Sequence, residues 1–209
     1  MGSATVPRAG LTETVVIEEG ERIADDVGLA SLTLAALADR LGVRQPSLYK
    51  HIAGTDGLRR SIALRAKNEL ADVLGRAAVG RARGEAIAAM AHAYRAWAIE
   101  HPGRYAAAQR APSPGDADDE IASRKVVRVV ADVMAGYELR DDDAIDAIRA
   151  LRAALHGFVT LEADHGFGLP VDVDRSFDRL VAGLTTAFAQ AARGTSASTT
   201  VASPSSPIA

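Results

Sequence analysis

Between Thr33 and Leu58 the chain reads TLAALADRLGVRQPSLYKHIAGTDGL, and no other stretch restricts the fold so tightly. Leu34, Leu37, Ala38 and Leu41 recur at helical spacing and share one face. Thr33 stands just before them, where a hydroxyl can accept the free amides of a first helical turn. Gly42 stands just after them, where a helix end calls for left-handed backbone. Val43 can fill the angle to a second helix, and Pro46, with fixed φ and no amide proton, suits that helix's first turn. This second helix, Gln45 to His51, carries Gln45, Ser47, Tyr49, Lys50 and His51, groups that reach base edges and phosphate oxygens. The pattern predicts a helix-turn-helix. Short helices joined through glycine also occur in ordinary bundles, so the weight rests on the conjunction of cap, turn, proline entry and polar Tyr-Lys-His segment. Helices this short are marginal in water, and Leu32, Leu37, Leu41, Val43, Leu48 and Ile52 are expected to supply a small core beneath them.

The distribution of charge sharpens this reading. The net charge is −3 over 209 residues, so the chain as a whole is no generic polyanion binder. Arg40, Arg44, Lys50, Arg59, Arg60, Arg65 and Lys67 nevertheless follow one another with Asp56 as the single acid between Arg40 and Lys67. Acids gather instead at 13–26, 116–120 and 141–143. A basic segment on an acidic chain predicts salt-sensitive docking through one face. There is no cysteine, which excludes disulfides and thiolate metal sites and suits a reducing cytoplasm. The N-terminus lacks the apolar core of a signal peptide, and no apolar run has the length of a membrane span.

The rest of the chain has helical periodicity and no convincing strand. Helices are expected over 12–27, 55–75, 85–100, 118–136, 141–165 and 173–192, with a short turn of helix over 104–110 and a loop at 111–115. The fold class is therefore all-α, about nine helices: an N-terminal three-helix head over 12–54 and an antiparallel helical-bundle body over 55–193. Residues 1–11 are expected to be flexible, and the Ser/Thr/Pro-rich tail 194–209 to be disordered. Gly20 reads as a mild weakness in the first helix.

The run Ala38-x-x-Leu41-Gly42-Val43 followed by Leu48-Tyr49-x-His51 resembles the N-terminal signature of the TetR/AcrR family of bacterial transcriptional regulators. The resemblance implies that Thr33 caps the second helix and touches a phosphate, that Tyr49 contacts the DNA backbone, and that His51 closes the recognition helix. It puts Arg44, Gln45 and Ser47 at positions that read or approach bases. Two residues depart from the family pattern: Ile52 replaces the usual Phe, and Thr55 replaces a frequent Lys at the start of the fourth helix. Thr55 can cap that helix, whose terminus still attracts phosphate, and Lys50, Arg59 or Arg60 are the candidates to restore the missing charge. The body, over roughly 85–190, resembles the WHG type of C-terminal domain through Tyr94-Arg95-Ala96-Trp97-Ala98, His101-Pro102-Gly103-x-Tyr105, Leu155-His156-Gly157 and Leu161-Glu162.

The resemblance implies a cytoplasmic homodimer that binds a pseudo-palindromic operator on double-stranded DNA and is released by a small, hydrophobic effector; no cofactor is expected. Candidate effector contacts are Met90, Tyr94, Trp97, Tyr105, Met134, Leu155, His156 and Phe158, although a Met/aromatic stripe at helical spacing is also what an ordinary core looks like. The last two helices offer Leu151, Ala154, Phe158, Leu161, Phe177, Leu180, Leu184 and Phe188 as a candidate dimer interface. Two other classes compete. A helical-bundle metalloenzyme would use Glu162-x-x-His165, but such sites need a second copy of the motif. An adaptor with a head that no longer binds DNA has Thr55 as its support. No nucleophile elbow or phosphate-binding loop occurs, and an enzyme is not expected.

Overall fold

The computed structural model describes residues 10–139 and 141–198, with side chains to Arg193. Its α-helices are α1 (Glu13–Val27), α2 (Leu34–Leu41), α3 (Gly54–Ala78), α4 (Arg83–Glu100), α5 (Pro102–Ala108), α6 (Ala117–Met134), α7 (Asp141–Ala163) and α8 (Val173–Ser198). Short 3-10 helices occupy Leu29–Ser31, Gln45–Lys50 and Ala135–Tyr137. The described residues contain no strand, and the all-α expectation holds. No described helix is long and apolar enough to cross a membrane.

Two compact units result. One takes the described residues up to Asn68 together with Glu100–Ala122; the other takes Glu69–Ile99 and the described residues from Ser123 onward. The first unit is thus larger than a three-helix head ending at residue 54, because α1 needs more cover than two short helices provide. Val16, Ile23, Leu32, Leu37, Leu48, Leu58 and Ile62 bury in one cluster, with Ala107 of α5 among them. Thr12 caps α1, its hydroxyl accepting the Val15 amide at 3.3 Å.

Gly20 is more than a weak point in α1. A Cβ there would meet Leu58 Cδ1 at 3.0 Å and Ile62 Cδ1 at 3.3 Å, so the missing side chain lets α1 lie close to α3. Gly103 permits a tighter approach still, since a Cβ would fall 2.0 Å from the carbonyl carbon and oxygen of Ala24. The next residue locks this crossing: the Arg104 amide donates to Asp25 Oδ1 at 2.8 Å and its Nε to Oδ2 at 2.7 Å.

In the second unit, Ile87, Met90, Tyr94 and Trp97 of α4, Leu151, Leu155 and Val159 of α7, and Phe177, Val181 and Phe188 of α8 are buried. Arg95 ties α7 to α8. It donates to Glu162 at 2.7 and 2.5 Å and pairs with Asp174 at 2.7 Å, while its guanidinium lies 4.9 Å from the centroid of the Phe177 ring. α7 stops at Ala163, so His165, at φ 54°, lies past its end and shares no helical face with Glu162. The metal-ligand spacing read from the sequence is therefore not realised as a pair. α8 runs on to Ser198, beyond the expected start of a disordered tail at 194; residues 199–209 and 1–9 lie outside the described residues.

Replacing Gly103 by alanine forces a methyl group into the α1 backbone. Backbone cannot yield as a side chain does, so Gly103→Ala is expected to cost roughly 3 kcal/mol or more, at the upper end for overpacking. A urea melt monitored by circular dichroism checks this; a midpoint equal to that of the parent would contradict the close crossing.

Candidate nucleic-acid interface

The helix-turn-helix forms as its sequence dictates, with one change of geometry. Thr33 Oγ1 accepts the Ala36 amide at 3.1 Å and caps α2. Gly42 closes α2 in left-handed backbone, φ 64° and ψ 31°, and the Val43 amide returns to the Ala38 carbonyl at 3.0 Å. Pro46 enters the recognition segment near its start. That segment, Gln45–Lys50, is wound as a 3-10 helix rather than the expected α-helix, and His51 follows it outside. Six residues in i→i+3 bonding leave few backbone hydrogen bonds to define the element. Its position comes from Leu48, fully buried against Leu32 and Leu37, with Val43 and Leu41 packed at the edge.

The expected readers emerge from this support. Thr33, Arg44, Gln45, Tyr49 and Lys50 are exposed, Tyr49 by 59%, while Ser47 and His51 are half-buried. An exposed tyrosine on a turn anchored by a buried leucine can present both a ring and a hydroxyl to a partner. Thr55 departs from expectation. α3 already begins at Gly54, with the Gly57 amide bonded to the Ala53 carbonyl at 3.2 Å, so Thr55 stands inside the first turn and does not cap it.

The basic segment is largely neutralised by acids from elsewhere in the first unit. Arg40 donates to Glu19 at 2.7 Å and to Asp26 at 3.1 Å. Burial pushes the Glu19 carboxyl up, but the hydrogen bonds of Arg40 and Arg22 outweigh it and hold the group below the ordinary carboxylate value. Arg65 binds Glu21 at 2.8 Å. Arg59 reaches the carbonyls of Leu29 and Ala30, both at 3.4 Å. Arg60 grips Asp116 through two hydrogen bonds of 2.6 and 2.5 Å and meets Asp118 at 3.0 Å. Lys67 is buried, donating to the Arg110 carbonyl at 2.8 Å and to buried Asp119. Asp119 Oδ2 is buried without a hydrogen bond, so this pair is firmly sited but incompletely satisfied. Among the described residues, no ion pair engages Arg44 or Lys50. Arg60 is thus held by acids and Arg59 rests against backbone carbonyls, and of the three candidates to replace the lost charge at Thr55 Lys50 is the exposed one.

The candidate effector contacts separate. Tyr105 belongs to α5 in the first unit, whereas Met90, Tyr94, Trp97, Met134 and Leu155 are buried core of the second. His156 is half-buried, and Phe158, also half-buried, packs on Phe167 and Phe177 at centroid distances of 4.7 and 5.0 Å. A cavity of about 330 Å³ in the second unit is lined instead by Arg83, Gly84, Tyr137, Thr185, Thr186, Ala189 and Arg193. None of these residues was expected to line a site; the isolated polar Tyr137 beside Arg83 is a tertiary juxtaposition with no sequence spacing to announce it. The dimer candidates also divide. Leu151, Phe177 and Phe188 are buried in the core of the second unit and leave little surface for a partner, while Ala154, Phe158, Leu180 and Leu184 are half-buried and Leu161 is half exposed.

A capped helix, a left-handed glycine turn and a supported polar recognition segment define a DNA-binding helix-turn-helix regulator. Known proteins give it a family. Residues 87–184 match the Tetracyclin repressor-like, C-terminal domain. The helix-turn-helix-type transcriptional regulator Rv0681 of Mycobacterium tuberculosis is 39% identical over 83% of this chain and 79% of its own. YobS of Bacillus subtilis, described in the same terms, is 37% identical over 80% of this chain and 87% of its own. A regulatory protein, SCO4313, shares the fold at a TM-score of 0.66 and 25% identity, covering 82% of this chain and 94% of that one. A glutamine-to-alanine variant of a TetR from Acinetobacter baumannii AYE, solved in complex with minocycline, superposes at a TM-score of 0.65 with 22% identity, over 87% of this chain and 98% of that one. The chain belongs to the TetR family of transcriptional regulators.

The Arg60–Asp116 contact gives the first unit a pH dependence. Hydrogen bonding to Arg60 is the main reason that the Asp116 carboxyl falls from 3.8 to about 2. A carboxyl depressed in the folded state contributes stability above its unfolded value, and that contribution is lost as pH falls through the folded one. Between about pH 4 and pH 2 the parent is therefore expected to lose thermal stability more steeply than Asp116→Asn. Differential scanning calorimetry of both proteins across that range measures the difference, and parallel curves would contradict it.

Proposed function

We propose that this regulator is a ligand-responsive repressor that binds a pseudo-palindromic operator as a homodimer. The observation that carries the DNA face is the set of exposed residues Arg44, Gln45, Tyr49 and Lys50 on a turn fixed by buried Leu48, with both cations outside any internal ion pair. Gln45 and Arg44 have the groups to contact base edges, Tyr49 and Lys50 to contact phosphate, and Thr33 to contact a neighbouring phosphate from the start of α2. One such segment makes few contacts, and two-fold pairing supplies a second half-site.

The second unit supports pairing through exposed apolar groups that a second copy would cover. Ile145 and Leu161 of α7, with Phe167, Leu169 and Val171 in the connection to α8, all stand out to solvent. Ala150, Ala153, Ala182, Gly183 and Ala187 are exposed on the same two helices and allow close approach. Family membership and chain connectivity support effector responsiveness. α3 and α6 each contribute to both units without interruption, so a ligand that shifts them in the second unit displaces the recognition turn's support in the first. Minocycline in the Acinetobacter relative supports a small-molecule effector here. DNA and effector then weaken each other's binding by the same factor.

Selection of bound sequences from random double-stranded DNA is expected to enrich an inverted repeat. Enrichment of a single half-site would overturn the dimer, and no enrichment would overturn operator binding. On the enriched site, Lys50→Ala is expected to reduce the slope of log affinity against log salt by about 1 per head. Tyr49→Phe, which deletes one hydroxyl, is expected to weaken binding roughly 3- to 10-fold with the salt slope unchanged. Fluorescence anisotropy at several salt concentrations measures both.

A further inference from the structure

Tyr137 is a polar group of the second unit that folding alone does not explain. It is 3% exposed, and its hydroxyl oxygen is buried with no hydrogen-bond partner. The ring is held edge-on by Phe188, 6.0 Å between centroids, so the hydroxyl has a defined position. A buried hydroxyl left unpaired is unfavourable, and phenylalanine would pack as well without that penalty. Tyr137 also lines the cavity at the start of α4.

The surroundings of that hydroxyl are cationic. Burial raises the Tyr137 pKa and keeps the phenol protonated, while the charge of Arg83 acts on it in the opposite sense from nearby. Arg83 is held in place by its Nε, which donates to the Gly136 carbonyl at 2.7 Å. Arg193 lines the same cavity, and among the described residues no carboxylate does. Arg83 and Gly84 open an eighteen-residue helix whose first amides have no intrahelical acceptor and carry the positive end of its dipole. The remaining wall is apolar. Thr185 and Thr186 both turn their hydroxyls back to the Ala182 carbonyl, at 2.9 and 2.8 Å. Gly84 leaves open the space in front of Tyr137, since a Cβ there would stand 3.7 Å from the hydroxyl oxygen and 3.7 Å from Thr185 Cβ.

We propose that this cavity binds a small organic carboxylate, its anionic group taken by the Tyr137 hydroxyl and the arginines and its short apolar body laid against Gly84, Thr185 and Ala189. A protonated donor beside guanidinium groups matches a carboxylate, which accepts from both. At about 330 Å³ the cavity is at the small end of ligand pockets, which favours a single ring or a short chain over a large effector. The assignment goes beyond the repressor reading: it concerns the second unit alone and is tested without DNA.

Isothermal titration of the full chain with acetate, butyrate, benzoate and phenylacetate, with benzamide and inorganic phosphate as comparisons, tests it. At least one carboxylate is expected to bind with Kd below about 1 mM, and benzamide at least about tenfold more weakly than benzoate. Tyr137→Phe is expected to keep or raise the melting temperature while weakening the bound carboxylate about tenfold or more. Gly84→Ala, which an ordinary contact distance accommodates, is expected to weaken it by filling the ligand's space. Failure of all four carboxylates to bind at about 10 mM would overturn the site. So would equal binding of benzamide and benzoate, tighter binding of phosphate than of any carboxylate, or unchanged affinity in Tyr137→Phe.

Discussion

A recognition element six residues long and wound as a 3-10 helix cannot hold its own geometry in water, because nucleation costs more than so few hydrogen bonds return. Its shape is borrowed from the core beneath it. Leu48 is the point of attachment, and Leu32, Leu37, Ile52, Leu58 and Ile62 form the surface to which it attaches. The organisation of the first unit follows from that need. α1 covers the core from one side, α3 continues it, and α5 presses on α1 closely enough that only glycine fits at position 103. Ion pairs join segments far apart in the chain: Arg104 on Asp25, Arg65 on Glu21 and Arg60 on Asp116 nearer the surface, and Lys67 on Asp119 in the interior.

What could be read from the residues alone was whatever is decided locally. Thr33 as cap, Gly42 as left-handed terminator and the apolar face of α2 depend on neighbours within one or two turns, and each forms as expected. The small core under the helix-turn-helix was legible for the same reason, since its members lie within 21 residues of sequence, from Leu32 to Ile52. Contacts between distant segments were not. Seven basic residues in succession looked like a free cationic face until acids from α1 and the start of α6 were found on most of them. Gly20 looked like a defect until Leu58 and Ile62 appeared beside it. Helical phase could not tell the interior of a protomer from a dimer face, so Leu151, Phe177 and Phe188 were assigned outward although they are core. Thr55 reads as a cap but is the second residue of α3, because the helix starts at Gly54.

The buried Lys67–Asp119 pair differs in kind from the surface pairs. Withdrawing two charges from water is costly, and the attraction between them seldom does more than balance that cost. Its contribution lies in position, because removing either partner strands a buried charge. Lys67 stands on α3 and Asp119 in the first turn of α6, and it is these two helices that run uninterrupted from one unit into the other. The pair therefore fixes the register between the two helices at the place where each leaves the first unit.

The internal neutralisation of the head's arginines has a consequence for how the protein is distributed in a cell. Affinity for arbitrary DNA grows with the number of phosphates neutralised, and each released counterion adds to it regardless of sequence. With Arg40, Arg60, Arg65 and Lys67 already paired inside the first unit, that unit brings few cations to a random duplex. A genome offers millions of such sites, and a regulator that adheres to them weakly is less depleted by them. Occupancy of a true operator then depends more on the polar side chains at 44–50 than on ionic adhesion, so a small number of copies can suffice to keep it filled.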